Sequence, residues 1–152
     1  MKICLVASRG GHMEELACMS ELDGEKFLIT EKSSNTITFC DQVYYVEHIN
    51  RKDKNAIRKI VKIFIEANAI LKKEKPDCYI STGALIAVPV LILGKIRKKK
   101  IIYIETLARV EDLSLSGKIV YRFADVFCVY WESLLKKYPK ARYIDLFNEV
   151  IK

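Results

Sequence analysis

Two short apolar runs in this chain each stop on glycine, and that repeated pattern restricts the fold more than any other feature. Ile3 to Ala7 ends at Ser8-Arg9-Gly10-Gly11, and Cys78 to Ser81 ends at Thr82-Gly83. A brief run without polar alternation that halts at a glycine turn reads as a strand covered on both faces and feeding a tight loop. Around these runs, strand and helix signals alternate. Met13 to Ser20 reads as a helix, and Lys26 to Thr30 and Gln42 to Val46 as strands. Across Lys54 to Lys73, Ile57, Ile60, Val61, Phe64, Ala67 and Leu71 recur at helical spacing, with Arg58, Lys59, Lys62 and Glu66 opposite. Pro76-Asp77 ends that helix. Ala84 to Leu93 is continuously apolar and runs into Lys95, Arg97, Lys98, Lys99 and Lys100. Ile101 to Glu105 then reads as a strand, Thr106 to Ser116 as a polar loop, and Gly117 to Phe123 as a short helix. Asp125 to Val129 (strand), Trp131 to Lys137 (helix) and Ala141 to Ile144 (strand) complete the chain.

This alternation predicts an α/β fold, a Rossmann-like parallel sheet with helices on both faces. With 152 residues, 51% of them hydrophobic, the chain has the material for one core, and no repeat or linker divides it. It is read as a single domain over residues 1–152. Sheets of this kind bind ligands beyond the carboxyl ends of their strands. The candidate site therefore draws on Ser8 to His12, Ser81 to Gly83 and Glu105 to Arg109.

Within these segments, Gly10 and Gly11 let backbone amides approach a phosphate, although a tight turn calls for glycine whether or not anything binds. The dinucleotide fingerprint, counted from Gly10, falls on His12 and Glu15 instead of glycine. Only Glu31 matches, at the position of a ribose-binding acid. His12 is the candidate general base, because imidazole titrates near neutral pH; a capping or solvent-facing role is the alternative. His48 is read as a surface residue. Glu105, Arg109, Glu111 and Asp112 place charges at the mouth of the fifth strand, where a solvated loop is the ordinary explanation. Tyr121, Phe123, Phe127, Tyr130 and Trp131 read as core or interface aromatics.

The net charge of +7 points to an anionic partner: a membrane surface, a nucleotide, a diphosphate or nucleic acid. Nucleic acid is disfavoured because the basic runs lie apart from the aromatics. The five cysteines are widely spaced and read as free thiols in a reducing compartment, and no metal-ligand spacing occurs. No cleavable leader is expected, and no uncharged run approaches the roughly 20 residues needed to span a bilayer. Ala84 to Gly94 would reach about 17 Å as a helix, against a hydrocarbon core of about 30 Å. It reads either as a buried core helix or as an interfacial segment, with Leu85, Ile86, Leu91 and Ile92 in lipid and Lys95, Arg97, Lys98 and Lys99 on anionic headgroups.

Three stretches carry a resemblance to a known family. They are Ser8-Arg9-Gly10-Gly11-His12-Met13-Glu14-Glu15, then Ile101 to Val110 through Leu113-Ser114-Leu115-Ser116-Gly117-Lys118, and finally Ala124-Asp125 with Trp131. Together they resemble the membrane-anchoring subunit of the two-part N-acetylglucosaminyltransferase of N-glycan assembly, and bacterial capsule and exopolysaccharide counterparts more closely still. Gly-Gly-His alone is shared with the wider MurG-like group. The resemblance implies the N-terminal half of a GT-B glycosyltransferase, whose donor-binding half is a separate chain supplying the UDP-sugar. It further implies a polyprenyl-diphosphate-linked acceptor, no metal or other cofactor, and peripheral attachment to the cytoplasmic face of the plasma membrane. On this reading Gly10, Gly11, Thr82, Gly83 and Arg109 bind substrate, His12 is the base and Glu105 orders the site. The alternatives are a non-catalytic scaffold that recruits a catalytic partner, and a free-standing nucleotide-binding enzyme. The chain departs from the family pattern in having Ser81-Thr82-Gly83-Ala84 for Gly-Pro-Gly and Tyr143-Ile144-Asp145 for Tyr-x-Gly, and the eukaryotic transmembrane helix ahead of the first strand is not expected in it.

Overall fold

The computed structural model describes residues 1–32, 37–50 and 52–145. Its strands are β1 (Lys2–Val6), β2 (Glu25–Glu31), β3 (Gln42–Val46), β4 (Cys78–Ser81), β5 (Lys100–Ile104), β6 (Val126–Val129) and β7 (Arg142–Tyr143). The helices are α1 (Gly11–Ala17), α2 (Ala56–Glu74), α3 (Ala87–Ile96), α4 (Leu115–Val120) and α5 (Ser133–Lys137). The strands form one sheet in the order β3-β2-β1-β4-β5-β6-β7, every pair parallel. The chain winds outward from β1 to one side and from β4 to the other, so a crevice opens between the carboxyl ends of β1 and β4.

Strand pleating sends successive side chains to opposite faces. Cys4, Val6, Phe27, Ile29, Tyr79 and Tyr103 enter the thicker layer, with Ile63 and Leu71 of α2 and Val90 of α3. Ile3, Leu5, Leu28 and Ile80 enter a thinner layer against Leu16 of α1. Rings fill the thicker layer toward β6: Tyr103 stacks on Phe127 with centroids 5.1 Å apart, and Tyr121 meets Phe127 edge-on at 5.2 Å. These aromatics belong to the core.

Helix ends depart from the expected boundaries for local reasons. Helix α1 begins on Gly11 because Gly10 O already accepts from Met13 N at 2.8 Å. Helix α4 begins on Leu115, ahead of the expected Gly117, because Ser114 Oγ accepts from Gly117 N at 2.9 Å, a side-chain N-cap. The last strand is only Arg142–Tyr143.

The apolar segment after β4 corrects the interfacial expectation. Ile86 is 1% exposed and Leu91 0%, so neither faces lipid, and Leu85 and Ile92 are half-buried. Helix α3 buries Ala87, Val90, Leu91 and Leu93 in the core beside α2, and leaves Val88 half-buried and Ile96 exposed on its outer side. A Cβ at Gly94 would come within 2.8 Å of Ile101 and 2.9 Å of Tyr79, which is why the helix carries glycine there. The basic run that follows is also largely engaged: Lys95 pairs with Asp125 at 2.7 Å, Arg97 with Asn68 at 2.6 Å and Lys99 with Asp77 at 3.5 Å. Because this run leads into β5, it lies at the amino ends of the strands, opposite the crevice.

Candidate functional site

The three loops expected from topology do meet at the carboxyl edge, but their residues do different work. In the β1 loop, Gly10 has φ +79°, a conformation that favours glycine. Gly11 has no such requirement, and a Cβ on it would meet nothing within 4 Å. Neither conformation nor packing explains that glycine, and the turn faces open space.

His12 stands next to this opening. Its Nδ1 lies 2.9 Å from the carbonyl oxygen of Thr82, while Thr82 Oγ1 donates to His12 O at 2.6 Å. A carbonyl only accepts, so Nδ1 carries the proton and Nε2 of the neutral ring keeps a free lone pair. The β4 loop is thus a brace for His12 and not a second ligand loop, which corrects two expectations. Thr82 is fully buried with its hydroxyl committed. Gly83 N donates to Ser81 Oγ at 3.1 Å, so its amide is not offered to a diphosphate. The requirement for glycine at 83 comes from φ +123° and from the His12 ring, whose Cε1 would be 2.8 Å from an added Cβ.

Glu31 is not placed to hold a ribose. It is 4% exposed, accepts from Arg9 N and Nε at 3.4 Å each, and pairs with His48 Nδ1. It therefore ties the β1 loop to the ends of β2 and β3. His48 reaches solvent as expected, but it is also part of this tie.

The β5 loop is braced throughout. Glu105, 1% exposed, turns inward: Oε1 accepts from Thr106 N at 3.0 Å, and Oε2 accepts from Ser114 N at 2.9 Å and Ser114 Oγ at 3.0 Å. The expectation of a solvated carboxylate fails at this position. From outside, Trp131 Nε1 donates to Leu107 O at 2.8 Å, Ser133 Oγ to Val110 O at 2.9 Å and Lys137 Nζ to Glu111 O at 2.8 Å. Asp112 pairs with Lys118 at 2.5 Å and accepts from Tyr138; the Lys118 ammonium first, then the Tyr138 hydroxyl, hold its carboxyl well below the usual range. Arg109 is the exception. Among the described residues its guanidinium makes no hydrogen bond or ion pair, although its backbone is fixed to Thr106 O at 3.0 Å.

Glu15 is a residue that sequence reasoning missed. From α1, its Oε1 accepts from Thr106 Oγ1 at 3.0 Å and Leu107 N at 3.2 Å, joining the β1 and β5 loops, while Oε2 is buried with no hydrogen-bond partner among the described residues. Outside this junction, at the carboxyl ends of β6 and β7, a cavity of 420 Å³ is lined by Leu107, Tyr130, Trp131, Ser133, Tyr143 and Ile144. Burial there pushes the Tyr130 phenol up to about 12.

A doubly wound parallel sheet with its crevice at the β1/β4 switch defines a Rossmann-like domain. MurG of Acinetobacter baumannii superposes with a TM-score of 0.70 over 87% of this chain and 42% of that one, at 15% identity. The UDP-GlcNAc 2-epimerase of Methanocaldococcus jannaschii does so with 0.67 over 95% and 45%, also at 15% identity. The chain thus spans under half of each, and at this identity the likeness concerns fold alone. Sequence goes further. Residues 30–147 match the family described as "Oligosaccharide biosynthesis protein Alg14 like". The rat UDP-N-acetylglucosamine transferase subunit ALG14 is 30% identical over 93% of this chain and 81% of the rat protein. Its human counterpart is 41% identical over 49% of this chain and 38% of the human protein. The chain belongs to the Alg14-like family of oligosaccharide biosynthesis proteins.

Proposed function

We propose that this chain is the acceptor-side subunit of a two-component glycosyltransferase, which moves a sugar from a UDP-sugar to a polyprenyl-diphosphate-linked acceptor. A separate donor-binding chain supplies the UDP-sugar, and the pair works peripherally at the cytoplasmic face of the plasma membrane, in capsule or exopolysaccharide assembly. The names of the relatives point to N-acetylglucosamine as the sugar. One observation carries the reading: His12, held through Nδ1 by the Thr82 carbonyl, follows directly on a β1 turn whose Gly11 no packing or strain explains.

In the reaction, an acceptor hydroxyl attacks the anomeric carbon of the donor sugar. His12 Nε2 takes the hydroxyl proton as the new C–O bond forms and the bond to UDP breaks, with the electron pair leaving on the diphosphate. The Gly10-Gly11 turn leaves room for the acceptor's diphosphate to approach the backbone, and the unpaired Arg109 supplies the positive charge that would hold it. Glu105, Glu15 and Thr82 touch no substrate; they fix the loops that do.

The test is transfer from labelled UDP-N-acetylglucosamine to a polyprenyl-diphosphate-linked acceptor by this chain, by a donor-binding partner, and by both together. Activity only in the pair is expected. Full activity from the partner alone would reduce this chain to a scaffold, and activity from this chain alone would overturn the two-component reading.

A further inference from the structure

Helix α2 is longer than the sheet beneath it. Its 19 residues extend about 28 Å, whereas the seven residues of β2, the longest strand, reach about 23 Å. Glu66, past the midpoint of α2, accepts from Glu47 N at 3.0 Å, just beyond the end of β3. The first turns of α2 therefore reach past the carboxyl end of β3. Its core face is Ile63, Ala67 and Leu71. A second apolar stripe runs along the outside: Ile57 is 81% exposed, Val61 53% and Ile65 64%, at successive spacings of four. Arg58 and Lys72 flank this stripe, both exposed, and neither side chain is paired among the described residues. The other cations of the helix's first half are neutralised: Lys59 pairs with Asp53, and Lys62, one turn from Arg58, with Glu47 and Glu66. The apolar stripe is accompanied by unpaired positive charge and by no carboxylate of its own helix.

We infer that the outer face of α2, through Ile57, Val61 and Ile65 with Arg58 and Lys72, docks on the headgroup–acyl boundary of an anionic bilayer. Large exposed aliphatics in a row mark an interaction surface, and their combination with unpaired cations fits a surface that is apolar within and negative at its rim. A second copy fits less well, because a two-fold pairing of this stripe would bring like charges together. The inference rests on, and sharpens, the membrane-attached reading above. It moves the contact from α3 and the distant lysine run to the outer side of α2, whose first turns reach the carboxyl end of β3 and whose last turn, with Lys72, lies toward the amino ends, where Glu74 pairs with Lys2.

The experiment is co-sedimentation of the whole chain with vesicles of phosphatidylcholine alone and of phosphatidylcholine mixed with phosphatidylglycerol. Binding to the mixed vesicles is expected, reduced tenfold or more by Ile57→Asp with Ile65→Asp, and reduced severalfold by Arg58→Ala with Lys72→Ala. Lys98→Ala with Lys99→Ala should bind as the native chain does. Ile57, Arg58, Ile65, Lys72 and Lys98 are exposed and Lys99 is half-buried, and unchanged melting temperatures would confirm folding. Native binding that survives the aspartate pair overturns the α2 face while leaving membrane attachment standing. Absence of native binding overturns both. A dimer in solution that the aspartate pair dissociates would give the stripe to a second copy and also overturn the inference.

Discussion

His12 Nδ1 is held 2.9 Å from the carbonyl oxygen of Thr82, a residue 70 positions away. That single contact selects the tautomer that leaves Nε2 basic. An asparagine at position 12 places an N–H donor near Nδ1 and no base near Nε2. In the assembled pair, His12→Asn should retain fold and assembly while lowering kcat by about 10²- to 10⁴-fold. The measurement is kcat and KM on complexes checked by gel filtration; an unchanged kcat would remove His12 from the chemistry.

The two glycines flanking His12 in space should behave oppositely. Gly83→Ala forces a Cβ to 2.8 Å from the imidazole at φ +123° and should cost about 1–3 kcal/mol in urea unfolding. Gly11→Ala, with nothing within 4 Å, should change stability by less than about 1 kcal/mol. It should nevertheless raise the acceptor KM, by crowding the open turn. Equal stability losses at both positions would contradict this division.

Glu105 and Gly117 are coupled. A Cβ at 117 would come within 2.0 Å of Glu105 Oε2, and the carboxylate has nowhere to retreat without abandoning the buried Ser114 N–H. Gly117→Ala should therefore cost about 1–3 kcal/mol or more, the price of an unsatisfied buried donor. In a Glu105→Ala background the same change should cost much less. A double-mutant cycle reads this directly, and additive effects would refute the coupling.

Glu15 distinguishes a hydrogen-bonding brace from a packing residue. Glu15→Gln keeps an acceptor for Thr106 Oγ1 and Leu107 N, whereas Glu15→Ala keeps none. Hydrogen exchange at the Leu107 amide should speed up at least tenfold in Glu15→Ala and remain near native in Glu15→Gln. The acceptor KM of the pair should follow the same order. Equal behaviour of the two variants would count against the brace.

Acid should loosen the contact of α2 with the amino end of β1. The Lys2 ammonium, at 2.5 Å, and then the Tyr44 hydroxyl hold the Glu74 carboxyl below its ordinary range. A carboxylate whose pKa is lower folded than unfolded contributes stability that is fully present above the unfolded value, near 4.3, and is lost as pH falls through the folded one. Stability measured by urea unfolding should decline as pH drops below about 4. Glu74→Gln should flatten that decline; the same slope in both proteins would assign it to other groups.

The strands were legible because parallel strands covered on both faces carry near-continuous apolar runs, and every one of the seven was placed within a residue or two, apart from the shortened β7. The crevice was legible from the glycine stops. What was not legible is which groups are already occupied. Thr82 and Gly83 look available in sequence, but their polar atoms are committed to His12 O and Ser81 Oγ. Glu15 carried no local signal, since its partners lie 91 and 92 positions away. The segment after β4 misled for a different reason: a helix apolar on all sides has the same composition whether it is meant for the core or for lipid. Ile57, Val61 and Ile65 hid within the amphipathic pattern of α2, where a second stripe looks like a wider first one.

The outward-growing strand order also sets a timetable for synthesis. His12 leaves the ribosome with the first strand, but the Thr82 carbonyl that selects its tautomer emerges only with β4. The loop bearing Arg109 emerges later still, and Trp131, Ser133 and Lys137 must follow before that loop is braced. A nascent chain arrested after β4 would contain His12 and its Thr82 partner, yet lack the loop that carries Arg109. The imidazole is among the first parts made, and the loops braced around the carboxyl edge are among the last.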